Sequence, residues 1–258
     1  MDHSVWLGSS VFDGARAIAG QMPDLDLHLQ RVIHSAERLG LQCPLSVAEM
    51  GALVREGVAK FPANAELYIR PLVFGCEGFL IPEAEHSGFA LTLFDAPMPP
   101  FTGFSACLSR LRRPDASMAP TDAKASALYA NSTRVMRKRR SAATTMASCS
   151  TATARWPNSP PRTCSWSRRK ARSSRPCRTA PSWLSITRAR VIALLAEAGV
   201  AVEERTVQPE ELLTAAEIFN TGNYGKVTPC VLHEERTLPV GPMATLARDR
   251  YLAYMAQA

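Results

Sequence analysis

Residues 25–40, LDLHLQRVIHSAERLG, and residues 67–74, LYIRPLVF, indicate how the first part of the chain folds. In the first stretch, apolar residues recur at helical spacing, Asp26 is placed to cap the start, and Gly40 is placed where a left-handed residue ends a helix. The second stretch is rich in aromatic and β-branched residues and predicts a strand. Helices followed by clustered strands are typical of an α+β domain.

Further elements extend this pattern in both directions. Ser46-Val-Ala-Glu49 has the spacing of a capping box and predicts a second helix that ends near Phe61. Two more strands are predicted over 89–94 and 103–111, and 97–103 has the composition of a linker. We therefore expect a small α+β domain over residues 1–100 and a larger domain over 101–258.

In the last part of the chain, segments with the apolar pattern of a helix alternate with segments that have the pattern of a strand. A helix from Ile186 with Thr187 as its cap, a strand over 200–207, a short helix at Pro209, a strand at 218–219 and a helix over 244–255 are predicted. This alternation indicates an α/β second domain.

Composition limits the class of protein. The chain has 258 residues, of which 46% are hydrophobic, enough for a sizeable core. No apolar stretch has the length of a membrane span, and Met1–Gly8 lacks the layout of a secretory signal, so we expect a cytoplasmic protein without a membrane partner. The seven cysteines have no metal-ligand spacing, so neither a zinc site nor a disulfide framework is expected.

The net charge of +7 is concentrated in residues 138–184. This segment contains eleven of the thirty Lys and Arg residues and none of the twenty-three acidic ones, so the remainder is mildly acidic. It also lacks Gly, Val, Ile, Phe and Tyr, a composition foreign to ordinary strands and helices. We therefore expect it to disrupt the central strands of the second domain.

Three features have the chemistry of a binding or catalytic site. Lys124 is one of only five lysines, and a desolvated lysine amine can act as a nucleophile on a carbonyl. Ser185-Ile-Thr-Arg188 opens a helix, where free backbone N–H groups favour a phosphate. Arg31 lies beside an apolar helix face. Each also has a simpler interpretation, namely a solvated lysine, an ordinary cap and a surface arginine.

The motifs taken together resemble the class IV, or fold-type IV, pyridoxal-phosphate aminotransferases, and the branched-chain subgroup most. The resemblance covers most of residues 3–137 and 185–258. It is carried by LGSSVFDGAR (7–16), LHLQR (27–31), SAERL (35–39), YIRP (68–71), KASALYANS (124–132), SITR (185–188) and FNTGNYGKVTP (219–229).

The resemblance implies a role for each matching position. Lys124 matches the lysine that forms a Schiff base with the cofactor and moves the Cα proton, and Tyr129 matches the tyrosine that bonds the pyridine O3′. The remaining positions fall into two groups. The phosphate is assigned to Arg31, Ile186, Thr187, Gly222 and Asn223, and the substrate pocket to Phe12, Gly14, Arg16, Tyr68 and Arg70. Lys60, Lys170 and Lys226 are expected to be solvated.

The resemblance also implies partners and an activity. It implies transamination of branched-chain L-amino acids with 2-oxoglutarate as amino acceptor, in a homodimer. The family's glutamate for the pyridine nitrogen is missing, since residues 138–184 contain no acid. A shifted reading frame over about 138–184 would explain the loss of acids and glycines and the return of order at Ile186.

Two other hypotheses remain open at this stage. The chain could be an inactive or misfolded product of a frameshifted aminotransferase gene. Alternatively, the segment could be a natural basic insertion that is solvated or that binds nucleic acid, the least favoured of the three.

Overall fold

The structure is a computed structural model that describes residues 2–114, 116–140, 146–151, 163–168, 172–175, 185–204, 207 and 209–258. The chain forms two compact units. Unit 1 comprises Met1–Met98, Ala119–Tyr129 and Met255–Ala258, and unit 2 comprises Pro99–Met118 and Ala130–Tyr254. Among the described residues, no helix combines the length and the apolar character that crossing a bilayer requires.

Unit 1 combines three helices with a four-stranded antiparallel sheet. Its elements are α1 (His3–Leu7), β1 (Ser10–Phe12), β2 (Ala15–Ile18), α2 (Leu25–Arg38), α3 (Val47–Val58), β3 (Glu66–Gly75) and β4 (Ser87–Asp95). The long strand β3 is central, since it pairs with β4 along its length and with β1 and β2 in succession. The predicted α+β character of this part of the chain is confirmed.

Local sequence signals explain where the helices of unit 1 begin and end. Ser46 and Glu49 form the predicted capping box, because the Ser46 hydroxyl accepts from the Glu49 N–H and the Glu49 carboxylate accepts from the Ser46 N–H. Gly40, just after α2, has a left-handed φ of 70° as predicted. The prediction that Asp26 caps α2 is wrong: the cap is Asp24, and Asp26 lies in the first turn.

The core of unit 1 forms where the apolar face of α2 packs against the sheet. Leu29, Val32 and Ala36 of α2 belong to one buried cluster with Val11 of β1 and Ile69 of β3. Burial of this apolar area is the main free-energy gain of the unit. It also holds the short turn between β1 and β2 against α2.

Unit 2 is built on a mixed eight-stranded sheet. Its strands are β5 (Phe104–Arg113), β6 (Met146–Thr151), β7 (Thr163–Arg168), β8 (Arg172–Arg175), β9 (Ala201–Glu204), β10 (Glu217–Gly222), β11 (Lys226–His233) and β12 (Arg236–Thr237). The strand order is β6-β5-β11-β10-β7-β8-β9, with β12 on β11. The helices are α4 (Tyr129–Arg140), α5 (Ile186–Glu197), α6 (Pro209–Leu212) and α7 (Pro242–Met255). Parallel pairs and helices between strands confirm the predicted α/β character.

The basic segment differs from the prediction where the structure describes it. We expected residues 138–184 to be incompatible with strands, but β6, β7 and β8 lie within it, and β7 pairs with β10 inside the sheet. Strand pairing uses backbone N–H and C=O groups that every residue except proline carries, so an unusual composition does not prevent it. Residues 138–140 of the segment end helix α4, and the remainder lies outside the described residues.

Two further sequence expectations differ from the structure. Thr187 was predicted to cap α5, but the cap is Ser185, whose hydroxyl accepts from the Arg188 N–H at 3.3 Å. The expected domain boundary at residue 100 lies close to Met98, where the chain first leaves unit 1. However, Ala119–Tyr129 belongs to unit 1 and not to the second unit. The reason is local pairing, because Ala125 forms an antiparallel bridge with Val11 of β1.

Candidate active site

Lys124 lies in unit 1, between α2 and the end of β1. Its backbone N–H donates to the Ser35 hydroxyl of α2 at 3.1 Å, and its carbonyl accepts from the Phe12 N–H at 3.2 Å. Its Nζ donates to the Tyr129 hydroxyl at 2.5 Å and lies 4.3 Å from the centroid of the Phe12 ring. The solvated-lysine alternative is therefore wrong, since Lys124 is half-buried and its amine is oriented by specific contacts.

The Phe12 ring, which lies beside the Lys124 amine, has a second aromatic ring and a guanidinium next to it. The Phe12 and Tyr129 ring centroids are 4.9 Å apart. The Arg70 guanidinium carbon lies 5.9 Å from the Phe12 centroid and 5.5 Å from the Tyr68 centroid, and the Tyr68 ring stacks on Phe94. Arg70 itself is exposed. An exposed guanidinium held over aromatic faces can bind a carboxylate while the ring faces accept an apolar group.

Gly14 and Arg16 are the other two residues that the resemblance assigned to the substrate pocket. A Cβ on Gly14 would lie 2.1 Å from the Tyr68 hydroxyl oxygen, so this position requires glycine for Tyr68 to keep its place. Arg16 has no exposed surface, and its Nη1 donates to the Ala96 carbonyl at 2.6 Å. The structure thus brings Gly14 against Tyr68 and holds Arg16 inside the unit.

Arg31 is held by a buried carboxylate that the sequence analysis did not single out. Asp13, with no exposed surface, accepts from Arg31 Nε at 2.6 Å and from Arg31 Nη2 at 2.7 Å. The Gly14 N–H donates to Asp13 Oδ1 at 2.6 Å, and His28 Nδ1 lies 2.7 Å from the same oxygen. The surface-arginine alternative is therefore wrong. The spacing of His28 and Arg31, three residues apart on one helix face, was the available signal.

Charge complementarity sets the ionisation of this pair. Burial alone would raise the pKa of Asp13, but attraction to the Arg31 guanidinium and the hydrogen bonds from His28 and Arg31 outweigh it and hold that pKa well below its usual value of 3.8. Burial likewise acts to lower the pKa of Arg31, whereas attraction to Asp13 and the hydrogen bonds with it raise that pKa above its usual value. Both groups stay charged, and the pair positions the guanidinium rigidly.

In unit 2, the remaining predicted residues lie at the start of α5 and in the turn between β10 and β11. Ile186 and Thr187, both buried, are the first two residues of α5. Gly222 ends β10, and Asn223 follows it in the turn. Lys226, predicted to be solvated, is only 1% exposed, and its Nζ donates to Asn223 Oδ1 at 2.7 Å. That prediction is wrong, whereas Lys60 is exposed as expected, and Lys170 lies outside the described residues.

Each unit, taken by itself, offers groups of the kind that a phosphate-bearing aldehyde cofactor needs. In unit 1, Lys124 offers an oriented amine beside a phenol. In unit 2, the Asn223 Nδ2 atom is buried and has no hydrogen-bond acceptor among the described residues, which is the state of a donor that lacks its anion. The glutamate that the resemblance places between Arg137 and Ile186 is absent, since no acid occurs in 138–184.

A partly buried lysine amine that neighbouring side chains orient can form a Schiff base with a carbonyl cofactor. The family model for class IV amino-transferases matches residues 10–150, more than half of the sequence. The chain belongs to this family.

Individual proteins agree with this assignment. A probable branched-chain-amino-acid aminotransferase of Rickettsia bellii is 34% identical over 132 residues, 50% of this chain and 45% of the relative, so the chain spans about half the length of that relative. A probable branched-chain-amino-acid aminotransferase of Aquifex aeolicus is 26% identical over 97% of this chain and 85% of its own.

Among solved structures, an aminotransferase from Brucella abortus bound to pyridoxal phosphate superposes with a TM-score of 0.95 and 37% identity, over 99% of this chain and 92% of the Brucella chain. The predicted family and fold type are confirmed, and the Brucella structure holds the cofactor that the sequence predicts.

Proposed function

We propose that the chain is a pyridoxal-phosphate-dependent transaminase that transfers the amino group of branched-chain L-amino acids to 2-oxoglutarate. The observation that carries this proposal is the Lys124 amine, fixed at 2.5 Å from the Tyr129 hydroxyl and 4.3 Å from the Phe12 ring centroid. Membership of the class IV family and the names of the relatives support the reaction and the substrate class.

Residues of unit 1 provide the reacting groups. When bound, pyridoxal phosphate supplies an aldehyde that captures amines and a ring that stabilises a carbanion. Lys124 would hold the cofactor through its amine, and the same amine, once the substrate amine has displaced it, would move the proton at the substrate Cα. Tyr129 keeps Nζ in one orientation, and its hydroxyl would bond the ring oxygen of the cofactor. Groups fixed in this way lower the entropic cost of the reaction.

Substrate recognition combines one cation with several apolar faces. Arg70 is exposed above Phe12, Tyr68 and Phe94, so its guanidinium can bind the carboxylate of either the amino acid or the 2-oxo acid. The ring faces suit a branched aliphatic side chain. Gly14 keeps Tyr68 in this group because no Cβ displaces it.

In each unit taken by itself, the residues that we propose for phosphate binding are Arg31 in unit 1, and Ile186, Thr187, Gly222 and Asn223 in unit 2. Arg31 is pre-oriented by Asp13. The backbone N–H groups at the start of α5 and the side chain of Asn223 are donors of the kind that phosphate oxygens accept.

The experiment compares the wild-type chain with Lys124→Met. The wild type should take up pyridoxal phosphate with a visible absorbance band, retain it on Lys124 after borohydride reduction and produce 4-methyl-2-oxopentanoate from leucine and 2-oxoglutarate. Lys124→Met should lose all three, whereas Lys60→Met, at an exposed site, should keep them. A wild type that never binds the cofactor would contradict the proposal.

We further propose that the protein is a cytoplasmic homodimer and that one apolar patch of unit 1 is part of its interface. The patch consists of Val5, Trp6, Leu7, Phe79, Leu80 and Ile81. Phe79 is 82% exposed, Leu80 77% and Ile81 76%, and the Trp6 and Phe79 ring centroids are 5.7 Å apart. A contiguous apolar surface of this kind is costly in water and marks a contact site.

Sedimentation velocity tests whether a second copy of the chain covers this patch. Ile81→Asp should shift the wild-type dimer towards monomer, because a carboxylate buried in an apolar interface is strongly unfavourable. Val240→Asp, at an exposed site in unit 2, should leave the dimer intact. A wild type that sediments as a monomer would refute the dimer, and an unaffected Ile81→Asp dimer would refute this interface.

The frameshift over residues 138–184 stays a hypothesis. Sequencing the source gene tests it directly. Two nearby length changes of opposite sign would support it, whereas a continuous frame without them would reject it.

A further inference from the structure

The turn between β10 and β11 contains a buried lysine in an unusual backbone conformation. Lys226 is 1% exposed and has a φ of 55°, in the left-handed region that residues with a Cβ avoid. Lysine is also among the residues least often buried. A residue that is held in place despite both a strained backbone and a buried charge commonly marks a functional position.

The contacts of this lysine determine the orientation of its neighbour. An ammonium can only donate hydrogen bonds, so the atom of Asn223 that faces Lys226 Nζ at 2.7 Å must be the amide oxygen. The Asn223 NH₂ group therefore points away from Lys226. The Tyr251 ring, with its centroid 5.2 Å from Nζ, provides a face that suits the ammonium.

This orientation leaves a donor without an acceptor. Asn223 Nδ2 is buried and has no hydrogen-bond partner within the described part of the chain. A buried donor in this state is costly unless something accepts from it. An anion is the appropriate acceptor, because Lys226 Nζ, bonded to the oxygen of the same amide, places a positive charge beside it.

We infer that Lys226 is a positioning residue for an anion site in this turn: it holds Asn223 so that Nδ2 donates to a phosphate oxygen, and it adds positive charge beside that oxygen. The inference rests on the proposed function in taking the anion to be the phosphate of the cofactor. The sequence analysis did not assign Lys226 to the phosphate and expected it to be solvated.

Asn223→Asp separates this role from a purely structural one. Aspartate keeps an oxygen acceptor for Lys226 and creates an ion pair, so the melting temperature should stay unchanged or rise. It also replaces the NH₂ donor with an anionic oxygen, so the Kd for pyridoxal phosphate should rise by about 100-fold. The Kd for pyridoxal, which has no phosphate, should not change.

Lys226→Met removes the ammonium and keeps most of the buried stem. The Kd for pyridoxal phosphate should rise by about tenfold, because the amide loses its fixed orientation and the site loses a charge. The exposed Lys60→Met is the matched control and should bind as the wild type does. If Lys226→Met fails to fold, Asn223→Asp alone decides.

Inorganic phosphate, scored by thermal stabilisation, distinguishes failure of this inference from failure of the proposed function. In one outcome, phosphate stabilises the wild type but not Asn223→Asp, and the wild type binds no pyridoxal phosphate. This outcome would support the anion site and refute the proposed function. Equal Kd values for pyridoxal phosphate in the wild type and Asn223→Asp refute the anion site and leave the function standing. A wild type that responds to neither compound refutes both.

Discussion

Replacing Asp13 with asparagine should destabilise the chain more than any single surface change. Asp13 has no exposed surface and accepts from both Nε and Nη2 of Arg31, from the Gly14 N–H and from His28. Asparagine has one acceptor oxygen and presents an NH₂ group to donors. The Arg31 guanidinium, which cannot lose its charge, would remain buried without a carboxylate.

The size of the effect follows from this loss. Removing one partner of a buried ion pair costs about 3–5 kcal/mol. With a shift of about 2–4 °C per kcal/mol for a chain of this size, the melting temperature should fall by about 6–20 °C. Such a loss is a large fraction of the total stability of an ordinary protein, about 5–15 kcal/mol.

Denaturant unfolding of four chains measures this coupling: wild type, Asp13→Asn, Arg31→Met and the double variant. The double variant removes both charges, so it should be more stable than the sum of the two single losses predicts by at least about 1 kcal/mol. A loss below about 1 kcal/mol in Asp13→Asn, or strict additivity in the cycle, would show that the pair does not control the stability of unit 1.

Three further outcomes are expected. Folding lowers the pKa of Asp13 below its usual value of 3.8, so ionised Asp13 stabilises the fold above that pH and stabilises it less as the pH falls further. Between pH 5 and pH 3 the free energy of unfolding of the wild type should therefore decrease by about 1 kcal/mol more than that of Asp13→Asn. Denaturant unfolding at a series of acid pH values measures this difference. Gly14→Ala forces Tyr68 to move, so it should lower the free energy of unfolding by about 1–3 kcal/mol and raise the KM for leucine. Gly51→Ala, in helix α3, is the control and should not be destabilising. Ser46→Ala removes the capping box of α3 and should lower stability by about 1 kcal/mol; an unchanged melting temperature would contradict the cap's contribution.

Local patterns predicted the helices and strands whose signals lie within a few residues of one another. The capping box at Ser46 and the left-handed Gly40 are examples, because each depends only on its immediate neighbours. Cap identity was less accessible: Asp24 and Asp26 are both acceptable residues near the start of α2, and the path of the chain decides between them. Strands β6 to β8 were missed because pairing depends on backbone groups that composition does not reveal.

The candidate site shows a similar limit. Lys124 and Arg31 were identified through motifs, and the structure gives both of them specific partners. Asp13 was not identified, because its partners lie on a helix that follows later in the sequence and nothing local requires a carboxylate there. Lys226 was misassigned because a charged residue near a turn is ordinarily solvated, and its burial depends on tertiary packing.

The assignment of Ala119–Tyr129 to unit 1 has a consequence for any attempt to dissect the gene. The backbone passes from one unit to the other four times, so neither unit corresponds to a continuous stretch of sequence. A truncated product ending at residue 100 would lack the segment that supplies Ala125, which pairs with Val11, and Ala125 belongs to the same buried core. We expect such a fragment to be insoluble when expressed by itself, and to be rescued only by co-expression of the complementary piece.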